Sequence, residues 1–304
     1  MSAPTVHTLI HILMTALLPP LLLGVITKTK AAFAGRVGAP FLQPYYDLAR
    51  LFRKGSVFST TTTWLFRVSP IVGVVTAALA SLLIPLGNHA APVSFTGDLV
   101  FFAYLFGLAR FFTVSAALDT GSAFEGMGGA REATFSCLAE PALFLGFLVL
   151  VKQSGSLSLG TMLSASTGSS GTGASIVLVL ASLFIVLLAE NCRIPFDDPN
   201  THLELTMIHE VMVLDHSGPA FGLILYGAAL KLFVLGAVVV ELAIPGSTGN
   251  AWGDWGVFLA GMLVLSVVIG VVESVMARLR LRQVPSLLVA ACLLSGFGII
   301  LLAR

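Results

Sequence analysis

The chain has 304 residues, of which 57% are hydrophobic and only 10% are charged. A soluble globular domain carries roughly 25% charged residues, so this composition excludes one and points to side chains that face lipid. A formal net charge of +1 offers no basic surface for nucleic acid.

A membrane-crossing helix needs roughly 20 mostly apolar residues. Eight stretches qualify, near 5–26, 65–87, 98–118, 134–152, 173–190, 218–243, 255–277 and 284–303. The expected fold is an all-α integral membrane protein of about eight transmembrane helices, forming a single membrane domain over 1–304. The first stretch has no Lys or Arg ahead of it and is followed by Lys28 and Lys30. That is the polarity of a retained span, not of a cleaved leader. Basic residues gather after the odd-numbered spans: seven from Lys28 to Arg67, then Arg131, then Arg193, then Arg278, Arg280 and Arg282. The other side holds little beyond Lys152 and Arg304. This asymmetry predicts odd loops in the cytoplasm and both termini on the periplasmic side. The segment 154–172 is rich in Ser, Gly and Thr and reads as a flexible outer loop.

Five charges fall within or near the spans: Arg110, Glu140, Lys231, Glu241 and Glu273. A central charge costs about 2.5–3.5 kcal/mol on insertion scales, so each must be paired, protonated or wetted. Glu140 precedes Pro141 and reads as an acid at the start of its helix, facing the bundle. Glu241 lies near a span end and reads as interfacial. Lys231 lies nearer mid-span, and Glu140 and Lys231 are candidates for an ion path. For Arg110 and Glu273 a structural ion pair is the plainer reading.

The densest ionisable stretch runs from Glu190 to Gly218, between two long apolar spans. It holds Glu190, Asp197, Asp198, Glu204, Glu210 and Asp215, with His202, His209 and His216. Asp198 suits a helix cap and Pro199 a first helical position. The spacing predicts a helix from there to about Leu214. Its histidines, seven residues apart, would share a face beside an apolar stripe of Leu203, Met207, Val211 and Leu214. Such groups, turned into a polar cavity, can pass protons or answer a neighbouring charge. A solvated loop is the rival reading. Three in-line histidines two turns apart are too distant to share a metal ion. The three cysteines, Cys137, Cys192 and Cys292, show no CxxC or Cys/His spacing, so this chain is expected to offer no ligand set for zinc or an iron–sulfur cluster, and no metal site.

Two loops carry a family resemblance. Glu190, Arg193, Pro195-Phe196-Asp197, Pro199 and Glu204-Leu205 resemble the acidic loop of the eight-helix membrane subunit that joins the two arms of respiratory complex I. That family includes the membrane anchor of group 4 [NiFe] hydrogenases. Arg36-Val37-Gly38, Pro40, Gln43-Pro44, Asp47 and Arg50-Leu51 resemble its amphipathic first-loop segment. Ala139-Glu140-Pro141 and the basic run Arg278 to Arg282 are weaker echoes. Asn200 and His202 stand where the quinone-reducing subunit has glutamates, and Cys192 where it has Asn. With the longer run to Gly218, the loop is similar to the formate hydrogenlyase subunit 4 and hydrogenase-4 component C type.

The resemblance implies a non-catalytic membrane subunit of a hydrogenase complex, with a short amphipathic helix in the first loop. Its partners would be the hydrogenase large and small subunits, an iron–sulfur subunit and an antiporter-like membrane subunit. The [NiFe] centre and the iron–sulfur clusters would sit on those partners, with no cofactor on this chain. Arg36, Gln43, Asp47, Arg50 and Arg193 would form the docking face. Glu140, Glu190, Asp197, Asp198, His202, Glu204, His209, Glu210, Asp215 and Lys231 would form the ion path or coupling route. The alternative is the quinone-chamber subunit of a complex I-type dehydrogenase.

Overall fold

The computed structural model describes residues 3–165, 173–197, 207–244 and 246–303. Eight helices are long and apolar enough to cross a membrane, and the chain is a multi-pass membrane protein. In chain order the helices are α1 (Ala3–Phe33), α2 (Gln43–Phe52), α3 (Trp64–Leu82), α4 (Asp98–Asp119), α5 (Ala123–Ser154), α6 (Leu159–Ala165), α7 (Gly173–Glu190), α8 (Gly218–Ala243), α9 (Ala251–Val275) and α10 (Val284–Leu302). α2 and α6 are the two short ones, and the other eight are the spans.

The packing follows from which span is apolar all round. α8 is 61% buried over its most apolar window, against 44% or less for every other span. It therefore forms the axis of the bundle. α1, α3, α7 and α9 pack against it, and α2 lies across its end. α4 packs on α3, while α10 fills the groove between α5 and α7. The core of α8 is Leu230, Phe233, Val234, Ala237 and Val238. The outer faces carry exposed Leu17, Ile71, Phe111, Val264 and Phe297, the side chains a bundle turns toward lipid.

Two spans overrun the membrane. α1 has 31 residues and α5 has 32, which at 1.5 Å per residue is about 46–48 Å against a hydrocarbon core of about 30 Å. α5 begins eleven residues before the expected span. Glu140 therefore sits mid-helix, not at a helix start. The glycine-rich Gly126-Met127-Gly128-Gly129 hides this in the sequence, because each interior glycine disfavours helix by about 1 kcal/mol.

Part of the expected flexible loop is ordered helix. α6 buries Leu159, Met162 and Leu163 at one-turn spacing. Buried Asp98 accepts hydrogen bonds from the Leu159 N–H at 2.7 Å and the Ser158 hydroxyl at 3.1 Å. Residues 166–172 of that loop lie outside the described residues.

α2 has no buried residue. Asp47 accepts from Gln43 at 3.0 Å and from Arg50 at 2.8 Å. Its polar face is thereby ordered at the same bundle end as the acidic loop.

Candidate functional site

Charges placed in helices 80 residues apart converge on one point. Arg110 of α4 donates to Glu190 at the end of α7, at 2.6 and 2.8 Å. It also donates to Glu140 of α5 and meets Glu132 of α5 at 3.4 Å. Lys231 of α8 reaches the other side of Glu190 at 2.7 Å. A planar guanidinium can serve several carboxylates at once, which a lysine cannot. Glu190 is 7% exposed at its side chain and Arg110 11%, so both charges persist because they are paired. With all five groups ionised, three carboxylates face two cations. The cluster thus holds one surplus negative charge.

A second array begins one turn further on. Arg193, just past the end of α7, lies 3.4 Å from Glu273 of α9, and Lys30 of α1 lies 2.8 Å from the same carboxylate. Arg110 and Glu273 are each ion-paired, though not to one another. Arg193 is turned inward to Glu273 and not out among Arg36, Gln43, Asp47 and Arg50. Glu241 accepts the Gly87 N–H at 2.6 Å at the opposite end of the bundle.

The acidic loop is tied down at both described ends. Asp197, 2% exposed, accepts the Ile208 N–H at 2.8 Å and pairs with Arg278 at 2.8 Å. Arg131 of α5 donates to the Met207 carbonyl at 2.7 Å. These bonds take backbone groups that an α-helix would need for its own ladder. Residues 207–209 are accordingly non-helical, and a single 3-10 turn, Glu210–Val213, follows. The helix expected to reach Leu214 is therefore absent over 207–214. Asp198, His202 and Glu204 lie outside the described residues, so the helix start and these three candidates do too. Val211, Met212 and Val213 bury against α4 and α5. They fit only because Gly128 has no side chain there: a Cβ would stand 2.4 Å from Val211 Cγ1 and 2.9 Å from Met212 Cγ.

Between α3, α4, α8 and this loop lies a cavity of about 110 Å³, roomy enough for several waters. Arg110, Glu132, Glu190 and Lys231 line it, joined by His209 and His216. Burial pushes the His209 imidazole below its usual range and that of His216 down to about 4. His216 stacks flat on Phe66 with centroids 3.8 Å apart. Burial, followed by the nearby Glu132 and Asp197 charges, pushes the Cys192 thiol well up. Asp215 is exposed, and its N–H donates to buried Glu125 at 3.0 Å. Asp215 does not line the cavity, and neither does Glu210.

Sequence reasoning missed Glu132 and Lys30 as partners of the embedded charges. It also missed a donor set: one atom each from Glu132, Cys192 and His209 lie within 4.8 Å of one another. Glu132 stood outside the expected span, and 60 residues separate it from Cys192, so no spacing rule finds the group.

Comparison with known proteins agrees with this architecture. Formate hydrogenlyase subunit 4 of Escherichia coli (strain K12) is 32% identical over 310 residues, covering 98% of this chain and 96% of that protein. Hydrogenase-4 component C of the same organism is 30% identical, over 87% of this chain and 85% of its own length. An NADH-quinone oxidoreductase subunit of Syntrophotalea carbinolica (strain DSM 2380 / NBRC 103641 / GraBd1) is 28% identical, over 82% and 77%. A chain in the structure of the membrane-bound sulfane sulfur reductase, an archaeal respiratory membrane complex, shares the fold with a TM-score of 0.85 at 21% identity. That match covers 99% of this chain and 100% of that one. The model of the NADH dehydrogenase family matches residues 6–303, and the chain belongs to that family.

Proposed function

We propose that this chain is the membrane subunit of a formate hydrogenlyase-like complex in the cytoplasmic membrane. It anchors a [NiFe] hydrogenase module at the end bearing α2 and the acidic loop. It also couples that module's electron transfer to proton or sodium movement through antiporter-like membrane neighbours. The observation that carries this reading is the continuous run of paired charges across the bundle, Glu132 and Glu140 through Arg110 to Glu190 and Lys231. Charges so expensive in a membrane mark ion pathways and relays. With three carboxylates set against two cations, a redox event at the docking end can shift the balance of these pairings. The relatives at 32% and 30% identity bear hydrogenase names, and the quinone oxidoreductase relative follows at 28%, which supports the hydrogenase branch. Formate hydrogenlyase-type neighbours would bring the [NiFe] centre and iron–sulfur clusters.

The docking half is tested on α2. Arg50 is 69% exposed, so Arg50→Glu leaves the bundle intact and reverses the charge a partner meets. The expected result is loss of the hydrogenase module from mildly solubilised complexes, at an unchanged membrane level of this chain. Undiminished co-purification contradicts the docking role.

A further inference from the structure

We propose that Glu132, Cys192 and His209 form a binding site for one zinc ion on the cavity wall. The three residues arrive from α5, from the end of α7 and from the acidic loop. Their carboxylate oxygen, thiol sulfur and imidazole nitrogen lie within 4.8 Å of one another. Ligands bound tetrahedrally at about 2.0–2.3 Å stand about 3.3–3.8 Å apart. Closing on an ion therefore asks each donor to move by about an ångström or less. Among the described residues neither the Cys192 thiol nor the His209 imidazole is engaged in a hydrogen bond, and Glu132 meets Arg110 only at 3.4 Å. The thiol and the imidazole are thus uncommitted, while the Glu132 carboxylate is shared with Arg110.

Three further observations favour a metal there. Cys192 occupies the left-handed region, with φ +49°, one place past Asn191, where a helix ending of this kind is served by glycine or asparagine. A side chain there costs about 1–2 kcal/mol, and it is a thiol that stands at this position. All three residues border the cavity, which leaves a fourth coordination position open to water, as in zinc sites with three protein ligands. The charges also balance: the cluster around Arg110 holds one surplus negative charge, binding makes Cys192 a thiolate, and a dication neutralises both. Sulfur and nitrogen donors beside one carboxylate select zinc over magnesium or calcium, which take oxygen.

Zinc bound here draws Glu132 away from Arg110 and clamps the loop at 207–213 to α5 and to the end of α7. It thereby sets the charge of the cavity whether or not the hydrogenase reading holds.

The test uses the full-length chain in detergent, stripped of metal and titrated with zinc against a chelating dye. One zinc per chain is expected. X-ray absorption should show one sulfur at about 2.3 Å with nitrogen and oxygen ligands at about 2.0–2.2 Å. Cys192→Ser and His209→Gln should each lower affinity by about 100-fold or more, while Cys137→Ser leaves it unchanged. A readout that needs no variant is alkylation of Cys192 in the parent chain, which zinc should slow. The proposal is overturned by the lack of saturable zinc, by zinc binding that survives Cys192→Ser with its sulfur signal, or by equal alkylation with and without zinc.

Discussion

Arg110 serves three carboxylates from two other helices, and its geometry explains why it is an arginine. Its fork lets Glu140 and Glu190 bond different nitrogens while Glu132 stands near a third. Removing it leaves Glu190 to Lys231 alone and takes the cation from Glu132, a loss of up to about 3–5 kcal/mol for a broken buried pair. Arg110→Ala should therefore lower the thermal unfolding midpoint of the detergent-solubilised chain sharply, and Arg110→Lys should recover only part of that loss. His216 makes a separate prediction. Its folded pKa of about 4 lies below the ordinary 6.5, so the unfolded chain binds more protons between those values. Stability should fall as pH drops from about 6.5 toward 4 and level off below that. His216→Phe, which keeps the stack on Phe66, should flatten this slope in unfolding curves taken across that window. Arg110, Glu140 and Lys231 were legible in the sequence because a charge in an apolar run declares its cost. Their pairings were not, since Arg110, Glu140 and Glu190 meet only through tertiary packing.

At the scale of an element, the acidic loop illustrates how tertiary bonds override a helical pattern. The heptad spacing of its histidines is real, and His209 and His216 do face one cavity. They reach it, however, through a bend and a 3-10 turn held by Asp197, Arg131 and the gap at Gly128. That gap is testable. Gly128→Ala forces a methyl against Val211 and Met212, an overpacking that costs about 1–3 kcal/mol. The expected outcome is faster hydrogen exchange at 207–213 with the transmembrane helices unchanged; unaltered exchange would mean that the turn is not seated by this contact. α6 was hidden for a different reason. Its serine- and glycine-rich surroundings mask three apolar residues at helical spacing, and the cap from Asp98 comes from 60 residues earlier.

At the scale of the whole molecule, eight apolar runs sufficed to read eight spans, because lipid demands internally bonded helices of a set length. Apolar windows see only the part inside the membrane. They therefore cut α5 short and missed the projecting turns that carry Arg131 and Glu132. The site stands where those projections, the end of α7 and the acidic loop meet around the buried axis helix α8. Such a position lets a change at one end of the bundle reach charges held within it.

That coupling is tested most directly by Glu190→Gln, which keeps the shape of the side chain shared by Arg110 and Lys231 and removes its charge. The measurement is hydrogen turnover and ion translocation recorded together in sealed vesicles bearing the assembled complex. Ion translocation per hydrogen turned over should fall about fivefold or more, the span of an ordinary coupling energy. Translocation and turnover both held at parental levels would contradict the account.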